Sequence, residues 1–182
     1  MGYRSITPSI NVNTTSGQLR TELLNTFNRL DGQLSLAPYR LATQNGPVLT
    51  VGTSETTLFT TGIDFNTLSK LGTSLLIFAC GTTGANANNK TIKMYFGGTE
   101  IFNTGAFAGN NISWTLQGEV VRNGGAAQIC WTQFMGSATL TSAVNVVNTT
   151  VSLTTQQELK ITGTGTASGD VSGSYWKLLL LT

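Results

Sequence analysis

The stretch from Thr73 to Phe102, TSLLIFACGTTGANANNKTIKMYFGGTEIF, limits the fold more than any other part of the chain. It opens on an unbroken apolar run, Leu75 to Cys80, and crosses a polar segment from Gly81 to Asn89. It resumes at Lys90 with Ile92, Met94 and Phe96 on one side of a period-two pattern and Thr91, Lys93 and Tyr95 on the other. Such alternation predicts a half-buried strand, and a short apolar run between turn residues predicts a strand covered on both faces. Gly97-Gly98 then turns the chain into a third short run, Glu100 to Asn103. A centre of this kind calls for an antiparallel β core.

The remaining runs extend that core. Strands are expected near 48–51, 56–60, 74–80, 90–96, 100–103, 112–121, 127–134, 144–153, 157–163 and 174–181. In 112–121, Ile112, Trp114, Leu116, Gly118 and Val120 share one face. In 127–134, Ile129 and Trp131 fall together, which predicts both Trp114 and Trp131 in the core. Asn123-Gly124-Gly125 between these runs is a hairpin signal. The closing run, Ser174 to Leu181, is so apolar that burial on both sides is expected. Many short strands with no helices between them predict a mainly β fold, an antiparallel sandwich of jelly-roll type, with an immunoglobulin-like sandwich as the other topology.

Before the strands comes a different kind of sequence. Residues 1–15 form a polar arm containing Pro8. From Ser16 to about Asp31 one helix is expected, with Thr15 and Gln18 in the form of a capping box and Asp31-Gly32 as the stop. Leu23, Phe27, Leu30 and Leu34 repeat at 4-3-4 spacing, a heptad-like stripe. A helix this short is marginal alone, so the stripe needs a partner: its own β domain, or identical helices in a parallel bundle. Pro38, Asn45, Gly46 and Pro47 mark Gln33 to Pro47 as a connector. The expected division is therefore an arm over 1–15, helix and connector over 16–45, and a β domain over 46–182.

Composition narrows the chemistry. Only 10% of the 182 residues are charged, against about 25% in an average soluble domain. The 31 Thr, 21 Gly and 15 Asn take their place, as suits Thr-faced strands joined by Gly and Asn turns. A net charge of +2 without a basic cluster argues against nucleic-acid binding. No apolar run is long enough for a membrane-spanning helix, and the first twelve residues lack the pattern of a secretory signal, so no membrane partner is expected. Cys80 and Cys130 sit inside strand runs, where buried free thiols are expected rather than a bridge.

No histidine is present, which removes the commonest general base and metal ligand. The carboxylates Glu22, Asp31, Glu55, Asp64, Glu100, Glu119, Glu158 and Asp170 are scattered, each read as an outward strand position or a turn rather than half of a glycosidase pair. The glycine-rich pieces Gly81–Gly84 and Gly163-Thr164-Gly165 match no phosphate-binding loop. Tyr95, Trp114, Trp131, Tyr175 and Trp176 are the aromatics that could stack on a sugar, though strand positions favour packing. No catalytic residue, cofactor or metal site is expected.

The order of arm, short helix (TSGQLRTELLNTFNRLDGQL), connector and Thr/Gly/Asn-rich β domain (ETTLFTTGIDFNTLSKLGTSLLIFACGTTGANANNKTIKMYFGGTEIFNTG running into ISWTLQGEVVR) resembles small structural proteins of tailed-phage particles. These are capsid decoration (cement) proteins and tail or fibre appendages. The resemblance implies a non-enzymatic virion protein whose N-terminal segment attaches to the particle while a β sandwich projects as a homotrimer. The partners it implies are further copies of the chain and virion proteins such as the major capsid protein. On this reading Tyr3, Ile6, Ile10, Leu23, Phe27 and Leu30 are the anchoring residues. A decoration protein is favoured over a tail component, since no long coiled coil or repeat is present. The contrasting class is a carbohydrate- or receptor-binding module recognising host surface glycans.

Overall fold

A computed structural model describes residues 39–136 and 143–182, which belong to one compact unit spanning Pro38–Thr182. The arm, the expected helix and their anchoring residues Tyr3, Ile6, Ile10, Leu23, Phe27 and Leu30 lie outside the described residues. The described chain is mainly β. Eleven strands follow in order: β1 Tyr39–Leu49, β2 Thr56–Ile63, β3 Ser74–Thr83, β4 Asn89–Phe96, β5 Thr99–Asn103, β6 Phe107–Ala108, β7 Ser113–Arg122, β8 Gln128–Gly136, β9 Ala143–Thr149, β10 Gln157–Thr164 and β11 Val171–Leu181.

They form two antiparallel sheets. One has the order β1-β11-β3-β7-β8-β9 and the other β2-β10-β4-β5, with β6 paired beside β4. The pairing is nested. β1 pairs with β11, β2 with β10, β3 with β7, and β4 with β5, as if one long hairpin had been rolled up. The hairpin β8–β9 is added to the end of the first sheet, beyond β7. The apex of the nested pairing lies between β4 and β5, where Gly97 (φ 55°) and Gly98 (φ 79°) make a two-residue turn, a conformation open at little cost only to glycine.

Between the sheets the alternation predicted for β4 and β7 is realised, while β3, expected to be covered on both faces, is buried on one and half-buried at Leu76, Phe78 and Cys80 on the other. Leu75, Ile77 and Ala79 meet Ile92, Met94 and Phe96 in a core completed by Trp114, Leu116, Val120, Leu159, Ile161 and Leu178. Phe59 stacks on Trp176 with ring centroids 5.7 Å apart, and Phe102 on Phe134 at 5.9 Å. At the register pair Gly81–Gly173 the strands β3 and β11 come so close that a Cβ on Gly81 would lie 1.8 Å from the Ser172 carbonyl oxygen.

Several expectations are corrected. The expected connector through Pro47 contains a strand from Tyr39, because Gly46 (φ 109°) and Pro47 sit in a bulge between Asn45 and Val48. β1 ends the sheet, where a missing N–H costs little. The run 144–153 is strand only to Thr149, and Val151 then folds into the core from a loop. β11 is buried on one face and half-buried on the other, rather than on both sides. Trp131 is not in the core. β8 turns Gln128, Cys130, Thr132 and Phe134 inward, so Ile129 and Trp131 lie on the outer face. Apolar residues on both sides of one strand leave its phase ambiguous, and here the polar-looking set is the buried one.

Burying that set has consequences that can be measured. The Gln128 amide is fully buried and makes four hydrogen bonds: it accepts from Thr149 Oγ1 (2.8 Å) and Val151 N (3.0 Å) and donates to Ala126 O and Val151 O. Thr132 Oγ1, equally buried, has no partner among the described residues. Thr132→Val keeps the shape and removes the orphaned hydroxyl, so it should raise unfolding free energy by about 1 kcal/mol in urea titrations. A loss of stability would show that the hydroxyl is satisfied.

Candidate functional site

The most concentrated chemistry lies at the end of the sandwich where the loops β3–β4 and β10–β11 meet. Lys90, the second residue of β4, lies on the same side as Ile92 and Met94 and is only 1% exposed. Its ammonium donates to Asn86 O (3.0 Å), Asn86 Oδ1 (2.8 Å) and Asn88 O (2.9 Å), which uses all three N–H groups. Asp170, just before β11, is fully buried rather than a solvated turn residue. Its carboxylate accepts from Asn86 Nδ2 (2.7 Å), Asn88 Nδ2 (3.1 Å), Thr166 N (2.7 Å) and Ala167 N (2.8 Å). The opposite charges never touch. Two asparagines stand between them and pass the polarisation on, Asn86 accepting from Lys90 while donating to Asp170.

Burial by itself would push the Asp170 carboxyl up. The hydrogen bonds from Asn86, the N–H groups of Thr166 and Ala167, and Asn88 more than reverse this and hold its pKa down at about 2. Neighbouring loops share the knot. Gly84 N donates to Asp170 O, and Thr50 is bonded to Gly169 and Val171. Through these bonds the site ties the loops β3–β4 and β10–β11 together. Among the described residues, no group of three or more His, Cys, Asp or Glu converges to hold a metal ion.

A second cluster covers the outer face of the β2-β10-β4-β5 sheet. Lys93 meets Glu100 at 3.1 Å and Glu55 at 3.7 Å, and Lys160 meets Glu158 at 3.2 Å. The two ammonium groups lie 6.0 and 5.4 Å from the centroid of the Tyr95 ring. The hydrogen bond to Glu100 is the main cause that raises Lys93 to about 12. For Tyr95, burial first and its bond to Glu55 next push the phenol up. Thr60 Oγ1 donates to Glu158 (3.0 Å), and both residues border an open polar groove with Gly62, Gln156 and Gln157.

The third feature is apolar. On the outer face of the six-stranded sheet a cross-strand row runs Leu179, Leu76, Glu119, Trp131, Val146. The next row runs Lys177, Phe78, Gln117, Gln133, Val144. Glu119, the one carboxylate of this face among the described residues, is tied down: it accepts from Ser74 Oγ and from Trp131 Nε1 (2.9 Å). Phe78 packs on Tyr175 at 6.3 Å. Leu76, Phe78, Trp131 and Leu179 are half-buried, while Val144 (67%) and Val146 (63%) are exposed.

Of the aromatics considered for sugar stacking, Trp114 and Trp176 are core, and Tyr95, Trp131 and Tyr175 lie on outer faces. Cys80 and Cys130 are both free, on opposite faces of one sheet, and burial raises the Cys130 thiol to about 11. Sequence reasoning missed the Lys90–Asp170 knot. A signal existed for one half of it, since the parity of Ile92 and Met94 places Lys90 inward. No family model matches this chain, and no curated protein matches it either.

Proposed function

We propose that the chain is a non-enzymatic structural protein of a tailed-phage particle, a capsid decoration protein attached through its N-terminal arm and helix and projecting its β domain as a homotrimer. The observation that carries this reading is the outer face of the six-stranded sheet. One row of it carries Leu179, Leu76, Trp131 and Val146, broken only by Glu119, whose carboxylate is held by hydrogen bonds from Ser74 and Trp131. An outer face carrying a row of large apolar side chains suits a protein that works in an assembly. The nested pairing of β1 with β11, β2 with β10, β3 with β7 and β4 with β5 supports a jelly roll over an immunoglobulin-like sandwich. Removing residues 1–15 should leave a folded domain that no longer co-sediments with the virions carrying it. Retained co-sedimentation would overturn attachment through the arm.

A second reading, a module for host surface glycans on a tail appendage, is favoured by the Tyr95 platform beside the open groove at Thr60 and Glu158. An aromatic ring flanked by amines and carboxylates has the groups that grip a sugar. Saturable binding on a glycan array, lost in Tyr95→Ala, would establish it, and an array without hits would dismiss it.

A further inference from the structure

We infer that β9 is a pairing edge for a second copy of this chain, the two β9 strands running antiparallel across a two-fold axis and joining two six-stranded sheets into one. Among the described residues, the four sheet edges are defended unequally. An edge strand exposes unpaired N–H and C=O groups, and proteins blunt such edges with bulges, proline, charge or shortness. β1 carries Pro47, Arg40 and two register breaks. β2 has a register break at its pairing with β10. β5 has only five residues, a register break and Glu100. β9 has none of these. Its seven residues, AVNVVNT, contain no charge and no proline, and its pairing with β8 is unbroken from Ala143 to Thr149.

The occupant follows from symmetry and charge. In antiparallel pairing about a two-fold, identical edges present matching donors and acceptors, so β9 is its own complement. A neutral strand places no like charges opposite each other. Val146 ends the row that runs through Leu179, Leu76 and Trp131, Val144 ends the row beside it, and both are exposed on the outer face, where they would meet the same residues of the second copy. On the inner side, Asn145 Nδ2 donates to Ile101 O of β5 (3.1 Å), which fixes the phase of the strand and keeps the valines outward. The β8–β9 hairpin also lies outside the nested pairing of the other strands, an addition whose last edge has no partner strand among the described residues.

Size sets the strength. Seven residues make a seam about 23 Å long. Two such edges with four valines bury on the order of 1,000 Å², the low end of specific interfaces, so a reversible contact of roughly micromolar affinity is expected. It is separate from trimerisation through the N-terminal segment. Joined to trimers, these two-folds would generate hexamers or a lattice.

The test is light scattering on the full chain from about 1 to 200 µM, with and without the pair Val144→Lys and Val146→Lys. Both positions are exposed, so the pair should leave the melting temperature unchanged. The expected result is a mass that grows at least twofold with concentration in the unaltered protein and stays flat in the lysine pair. No growth, or equal growth in both, would overturn the seam, while the mass at the dilute end reports on the trimer reading independently. Edge pairing is separated from stacking of whole faces by cysteines at 144, 146 and 148 in a Cys80→Ser background. Across a two-fold antiparallel seam, cross-links form only between positions whose numbers share one sum. Cross-linking without that rule would also overturn the proposal.

Discussion

Asp170→Ala should cost roughly 3–5 kcal/mol of unfolding free energy, the largest effect expected of any polar substitution in the β domain. The change strands the amides of Asn86 and Asn88, the N–H groups of Thr166 and Ala167, and a Lys90 ammonium that is 1% exposed. Lys90→Met should cost less, because Asp170 keeps its four N–H donors while only carbonyl oxygens lose a partner. The two changes should couple by more than about 1 kcal/mol in a double-mutant cycle, since Asn86 bonds to both. The pH dependence has a definite sign. The Asp170 carboxyl titrates near 2 when folded and near 3.8 when exposed. Its contribution is therefore complete above about pH 4 and is lost as pH falls toward 2, a loss of about 2 kcal/mol that Asp170→Asn should abolish. Urea titrations between pH 2 and 6 read both effects. A cost below about 1 kcal/mol for Asp170→Ala would mean that the knot is solvated.

Gly81→Ala should be almost as severe, at roughly 3 kcal/mol, the upper range for overpacking. The added Cβ would meet backbone, the Ser172 carbonyl at 1.8 Å, and the Trp114 ring at 2.6 Å. Neither gives way cheaply, because β3 and β11 are held on both sides in the middle of the sheet. Gly125→Ala is the control: nothing lies within 4 Å of its Cβ and its φ is ordinary, so no more than about 0.5 kcal/mol is expected. Equal melting temperatures for the two variants would show that β11 can move away from β3.

How far the sequence could be read depends on the strand. β3, β4 and β7 were legible because each keeps one class of residue on its inner face: Leu75, Ile77 and Ala79; Ile92, Met94 and Phe96; Trp114, Leu116 and Val120. β1 was hidden by Gly46 and Pro47, turn residues that a bulge at a sheet edge can absorb. β8 misled because it buries Gln128 and Thr132 while leaving Ile129 and Trp131 outside, and local pattern cannot see that Gln128 has four partners waiting in its neighbours. Asp170 could not have been paired with Lys90 by any local rule. Eighty residues separate them, and the asparagines that join them lie in a loop that reads as an ordinary turn. The same limits apply to function: an apolar outer face appears only once strand phases are known.

The molar mass of the full chain at low micromolar concentration tests its assembly most directly. Beside it belongs a chain shortened to begin at Ala37, which keeps β1 from Tyr39 intact; a start near Gln44 would cut that strand in half. A full chain of three copies, together with a shortened chain that has lost the trimer but still melts cooperatively, is the predicted result. Monomers from both would contradict it, and the glycan-binding reading centred on Tyr95 would take its place.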